Sequence, residues 1–122
     1  MKIYTGCDII EVQRIRDAIL TPNFTLKVYT DKEKDFCESK KGDMKYQHYA
    51  ARFAAKEAVY KAISELLDDK YQISYKNIEI TNLESGKPRV EIIGLNLKKT
   101  EIDVSLSHIK EYAIATCIVK VG

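Results

Sequence analysis

The hydrophobic positions of the chain change period several times, and each change marks an element. Residues 2–10, rich in Ile, Tyr and Thr, read as a strand. From Glu11 the apolar residues Val12, Ile15, Ile19 and Leu20 follow a helical spacing, and "TPN" at 21–23 is expected to stop that helix. A second helix is expected where "TDKEKDFCESKK" opens with Thr30 as N-cap and Glu33 three residues on, a capping box. After a "KKGD" turn comes the longest helical signal, roughly Lys45 to Leu67. "ISYKNIEITN" and "KPRVEIIG" read as strands joined by "LESGKP", and "EIDVSLSH" and "YAIATCIVKV" as two alternating strands around a short "IKE" turn. The order β-α-α-α-β-β-β-β predicts an α+β fold with a mostly antiparallel sheet and a long packed helix.

Within the long helix, successive residues turn by about 100°. Ala51, Ala55, Ala58 and Ala62 therefore share a narrow stripe, and small side chains there let the helix approach the sheet closely. Val59, Ile63 and Leu66 widen the apolar face. Glu57 and Lys61, four apart, share a different face, and Arg52 points well away from it.

A length of 122 residues fits a single domain over 1–122, at the small end, so oligomerisation is open. With 45% hydrophobic and 31% charged residues the composition is that of a globular protein, and a net charge of +2 gives no excess of base suited to nucleic acid. Cys7, Cys37 and Cys117 are odd in number and widely spaced, which argues against a disulfide framework or a Cys-rich zinc site and for a reducing, cytoplasmic setting. The N-terminal apolar stretch is too short and acidic for a signal peptide, and no apolar run approaches a membrane span.

Asp8 stands among Cys7, Ile9 and Ile10, and an acid inside a strand is unfavourable unless paired, hydrogen-bonded or bound to metal. On spacing alone, Glu57 and Lys61 read as a surface ion pair of about 0.3–0.5 kcal/mol. If the first strand packs beside the long helix, Asp8 and Glu57 could meet instead. Two carboxylates with open positions suit magnesium, which keeps waters and takes phosphate oxygens, and Lys61 could meet the same phosphate.

Other segments have a plain reading and a functional one. His108 in "SLSH" reads as a strand-end residue or as a participant in a site, and Ser105 and Ser107 share one face without an acid-His-Ser order. "SGKP" lacks the spacing and following helix of a P-loop and reads as a turn. Arg14 and Arg16, with Lys27 beyond, read as solvated charge or as a small basic patch for an acidic partner. Cys7 is expected to be a buried thiol.

Four motifs in order, "GCDIIEVQRI", "ARFAAKEAVYKAI", "SGKP" and "VSLSHIKEYAIA", resemble those of the holo-acyl-carrier-protein synthases, the small bacterial type of 4'-phosphopantetheinyl transferase. The resemblance covers about residues 3–119 and implies that family's fold. It also implies a reaction. The 4'-phosphopantetheine arm of coenzyme A moves to a serine of apo-acyl carrier protein, adenosine 3',5'-bisphosphate leaves, and magnesium is required. The setting is fatty acid biosynthesis. By resemblance Asp8 and Glu57 hold the metal and Lys61 lies near the phosphates. Arg52, Gly86, Lys87, Pro88, Ser107 and His108 border the nucleotide. The helix carrying Glu11, Arg14 and Arg16 docks the acidic carrier protein. A metal-held water, or Glu57 through one, would take the serine proton. The family is trimeric with sites at subunit boundaries, so Arg52 and His108 are expected to serve a neighbour's site or their own, the alternative for Arg52 being a structural ion pair. Two rival readings are a magnesium-dependent nucleotide phosphohydrolase and a non-catalytic module for an acidic protein.

Overall fold

The structure, a computed structural model, describes residues 1–122. A three-stranded antiparallel sheet has β5 (Tyr112–Val121) at its centre, between β1 (Lys2–Glu11) and β4 (Thr100–His108). A separate antiparallel pair joins β2 (Ile78–Asn82) to β3 (Pro88–Ile92). Four helices lie between β1 and β2: α1 (Val12–Ile19), α2 (Pro22–Val28), α3 (Asp31–Glu38) and α4 (Met44–Ile63). No helix is long and apolar enough to cross a membrane.

The alanine stripe of α4 does what its spacing predicts. Ala51, Ala55, Ala58 and Ala62 are all buried, and α4 packs on β1 and on β5, whose buried side chains include the small Ala113 and Ala115. The closest approach falls on β1. A side-chain carbon added at Gly6 would stand 2.0 Å from the Ala58 carbonyl oxygen and 2.9 Å from the Ala62 amide nitrogen. Only glycine admits a helix backbone that near, and the contact places the last turns of α4 over the strand two residues before Asp8.

Several expectations change. "TPN" ends α1, since the Thr21 hydroxyl donates to the Ala18 carbonyl at 2.7 Å, but Pro22 also opens a helix that the sequence reading lacked. Proline suits a first helical position because its missing N–H would have no partner there and its φ is preset. The new helix, α2, brings Phe24 and Tyr29 onto Phe53 and Tyr49 of α4. α4 ends at Ile63, and Leu66 lies in a short 3-10 turn, Ser64–Leu66, so it does not extend the apolar face of the α-helix. The strand expected over "ISYKNIEITN" begins only at Ile78, because Tyr75–Asn77 form another 3-10 turn capped by Ser74. Cys7 is exposed rather than buried, since the alternation of β1 sends it to the outer face with Ile3, Thr5 and Ile9. Cys37 and Cys117 are the buried thiols, both pushed up to about 12 by burial.

The capping box of α3 is present and extends into the core. The Thr30 hydroxyl accepts from the Glu33 amide, and the Glu33 carboxylate accepts from the Thr30 amide at 2.8 Å. The same carboxylate lies 2.8 Å from the Lys56 ammonium, both side chains being 0% exposed. Lys56 also donates to the carbonyls of Tyr75 and Ile78, and the Ile80 amide donates to the second Glu33 oxygen. A fully hydrogen-bonded buried pair thus ties α3, α4 and the start of β2 together.

Candidate active site

The candidate residues fall into two sets along α4. The first surrounds Asp8. Its backbone pairs opposite Ala115, which aims the side chain inward, toward α4. Lys61 reaches from the last turn of α4 to within 3.3 Å of an Asp8 oxygen and donates to the Cys7 carbonyl at 3.0 Å. The Asp8 side chain is 18% exposed and that of Lys61 54%. Glu57 accepts a hydrogen bond from the Tyr75 hydroxyl. The surface pair expected between Glu57 and Lys61 is therefore absent, because each finds a partner off the helix. Burial, the hydrogen bond to Glu57 and the charges of Glu57 and Asp8 push the Tyr75 phenol up to about 12.

The second set surrounds Arg52, which is 2% exposed. No acid pairs with it, so the structural ion pair is corrected: the guanidinium donates to the Asn82 side-chain oxygen and lies 4.0 Å above the Phe36 ring. Burial lowers its proton affinity, and its Nε has no partner. Asn82 in turn donates to the Gly86 carbonyl at 2.8 Å, linking Arg52 to the β2–β3 turn, where Gly86 has φ 91°. Lys87 leaves that turn to pair with Asp103 at 2.8 Å, and Pro88 begins β3. His108, at the end of β4, lies 2.8 Å from the Gln47 side-chain oxygen, and its ring meets His48 edge-on with centroids 4.8 Å apart. Burial, then Arg52, lowers His108, and burial, His108, Arg52 and Lys40 lower His48 to about 4.

Ser107 does not join His108. Adjacent strand residues point to opposite faces, and Ser107 lies with Ser105 on the exposed outer face. Arg14 and Arg16 are exposed on α1 beyond its buried Val12 and Ile15. Arg16 pairs with Asp43 at 3.2 Å and covers the Tyr46 ring, while Arg14 has no partner. Glu11 ends β1 and precedes the first turn of α1.

Sequence reasoning passed over Lys56, Tyr75, Asn82, Gln47 and His48. A signal existed for Lys56. Arg52, Lys56, Val59 and Ile63 repeat at intervals of four, three and four, so both cations continue an apolar stripe and all four are buried. Tyr75 and Asn82 had none, since their roles depend on how the β2 segment docks on α4.

The profile of the 4'-phosphopantetheinyl transferase superfamily matches residues 4–117. The chain belongs to this family. Among its relatives, the holo-[acyl-carrier-protein] synthase of Ruminiclostridium cellulolyticum is 42% identical, with 100% of this chain and 95% of the relative covered. That of Dehalococcoides mccartyi is 42% identical over 95% of this chain and 97% of its own. A holo-(acyl-carrier-protein) synthase from Bacillus anthracis, solved in complex with CoA (3',5'-ADP), superposes with a TM-score of 0.80 at 30% identity, covering 98% of this chain and 96% of the other. The family's fold is thus the α+β arrangement described above, and the chain is a transferase of this family.

Proposed function

We propose that this chain, as one 4'-phosphopantetheinyl transferase domain over residues 1–122, moves the 4'-phosphopantetheine group from coenzyme A to a serine of apo-acyl carrier protein, releasing adenosine 3',5'-bisphosphate. The observation that carries the reading is Lys61 against Asp8 at the β1–α4 contact, with Glu57 one helical turn before Lys61 on α4, in a chain 42% identical to a holo-[acyl-carrier-protein] synthase over its full length. The cytoplasm and fatty acid biosynthesis are the setting that fits such a transferase.

The donor set fits magnesium. No group of three or more His, Cys, Asp or Glu side chains converges anywhere in the structure, so a cation at this place would have two protein carboxylates, Asp8 and Glu57, and would fill its other positions with water and phosphate oxygens. Asp8 already holds a cation, the Lys61 ammonium, which supports a site built for positive charge. Magnesium there would neutralise the diphosphate of coenzyme A.

The chain's own residues do the rest. Lys61, held against Asp8 and half-exposed, would turn to a phosphoryl oxygen and place charge where it develops as the diphosphate bond breaks. Arg52, a buried cation lacking an acid, and His108, held by Gln47, form a second polar cluster that would suit the nucleotide's phosphate. The exposed Arg14 on α1 suits an acidic helix of the carrier.

The two sets meet across a subunit boundary in this reading, and the assembly is a homotrimer. Its support is the outer face of the three-stranded sheet. There Ile9, 63% exposed, lies opposite Ile114, and Ile118, 54% exposed, lies opposite Thr5, leaving an apolar surface that a second copy would cover. Ser107 belongs to this face.

The test is a mixture of the protein, coenzyme A, magnesium and apo-acyl carrier protein, read by intact mass of the carrier. The expected result is a phosphopantetheine adduct. Its absence where a known transferase works overturns the reading, and bisphosphate release without carrier modification favours a phosphohydrolase.

A further inference from the structure

Glu57 is held in a way that its role as a metal ligand does not itself require. One of its oxygens accepts from the Tyr75 hydroxyl, and the other has no protein partner. Tyr75 lies in the 3-10 turn before β2, and its carbonyl accepts from Lys56 at 2.8 Å. Two adjacent residues of α4 therefore grip one tyrosine at its two ends, Lys56 at the backbone and Glu57 at the phenol. The grip is anchored, because Lys56 and Glu33 are both 0% exposed and 2.8 Å apart. Glu33 is fixed in turn by the amides of Thr30 and Ile80, each at 2.8 Å. The Tyr75 ring also packs on Phe53, with centroids 5.4 Å apart. Nothing in this arrangement lets the phenol drift away from α4.

We propose that Tyr75 is a positioning residue for Glu57, a role that rests on reading Asp8 and Glu57 as the metal-holding pair. The phenol occupies one carboxylate oxygen, restricts the rotation of a flexible side chain and leaves the second oxygen for the cation. A ligand oriented in advance loses less freedom when metal arrives, and removing such an outer partner lowers metal affinity by about 10–100-fold. The buried Glu33–Lys56 pair is the strut that keeps Tyr75 in place.

Tyr75→Phe separates the hydroxyl from everything else, since the ring contact with Phe53 and the backbone clamp from Lys56 remain. Mn2+ is titrated in the presence of coenzyme A, the free ion being followed by its electron paramagnetic resonance signal. The variant is expected to bind Mn2+ about 10-fold more weakly than the wild type. Its melting temperature and its KM for coenzyme A should stay close to wild type while kcat falls. A Mn2+ affinity within twofold of wild type overturns the proposal. Tighter binding overturns it too, because the phenol would then be a competitor of the metal. Glu57→Gln, titrated in parallel, tells the two levels apart. If it binds Mn2+ as the wild type does, the metal-site reading fails and the role of Tyr75 falls with it. If it loses the metal while Tyr75→Phe keeps it, only the role of Tyr75 is overturned.

Discussion

Toward its C-terminal end α4 presents Lys61 to the strand that carries Asp8 and Glu57 to Tyr75. Toward its N-terminal end the same helix presents Gln47, His48 and Arg52 to the β2–β3 turn and to His108. The first end is acidic, and its Asp8 is already balanced by a lysine. The second is cationic without a single paired acid, and its histidines stay uncharged because burial and neighbouring positive charge lower them. Under the function proposed above, one helix would offer a place for a metal ion and a place for an anion, both of which a diphosphate nucleotide needs. The difference arises from what faces the helix: a strand bearing one carboxylate at one end, and a hairpin supplying only amides and carbonyls at the other.

The largest effect is expected at the acidic end. Asp8→Ala and Glu57→Ala should each lower carrier modification by about 10²–10³-fold, read by intact mass, with unchanged circular dichroism. Activity retained in either variant would show that the two ends of α4 do not divide the work in this way. Lys56 lies between the ends and tests whether they depend on a common support. Lys56→Ala leaves Glu33 buried without its cation and should destabilise the chain by about 3–5 kcal/mol, measured from urea unfolding. A change under about 1 kcal/mol would mean that the pair is not the strut described here.

The cationic end predicts a pH dependence. The folded-state pKa of His48 lies near 4, below its ordinary 6.5, so the unfolded chain takes up the proton first. Stability linked to this group is therefore present above about 6.5 and is lost as the pH falls toward 4, where the loss levels off. Melting temperature measured across that window should fall less in His48→Phe than in the wild type. Identical pH profiles would remove His48 as a source of the dependence. The smallest effect is expected outside both ends. Arg14→Glu should raise the KM for the carrier a few-fold, most at low salt, and leave coenzyme A unaffected. An unchanged carrier KM would take α1 out of the interface.

Much of this was legible before the structure, for identifiable reasons. The alanine stripe of α4, the Thr30–Glu33 capping box and the alternation of β4 and β5 are local patterns whose period alone specifies the element and its buried face. Asp8 was visible as an acid out of place in a strand. Helix α2 was not legible because "TPN" is equally a stop and a start, and only the burial of Val28 and Tyr29 in the folded chain, Tyr29 against Tyr49 of α4, selects a helix there. The exposure of Cys7 was missed because a strand's alternation shows two faces without saying which one meets the helix.

By itself, then, the sequence determined the order and kind of most elements, the close packing of α4 and the residue types able to hold a cation beside a phosphate. The tertiary structure alone decided the pairings. Lys61 leaves Glu57 for Asp8, Tyr75 takes Glu57, and Arg52 settles on Asn82 and Phe36 rather than on an acid. The physical reason is distance along the chain. Helix and strand periods are set by neighbours a few residues away, whereas these contacts join side chains 16 to 53 residues apart, as Arg52–Phe36 and Lys61–Asp8 do, and exist only once the elements have docked.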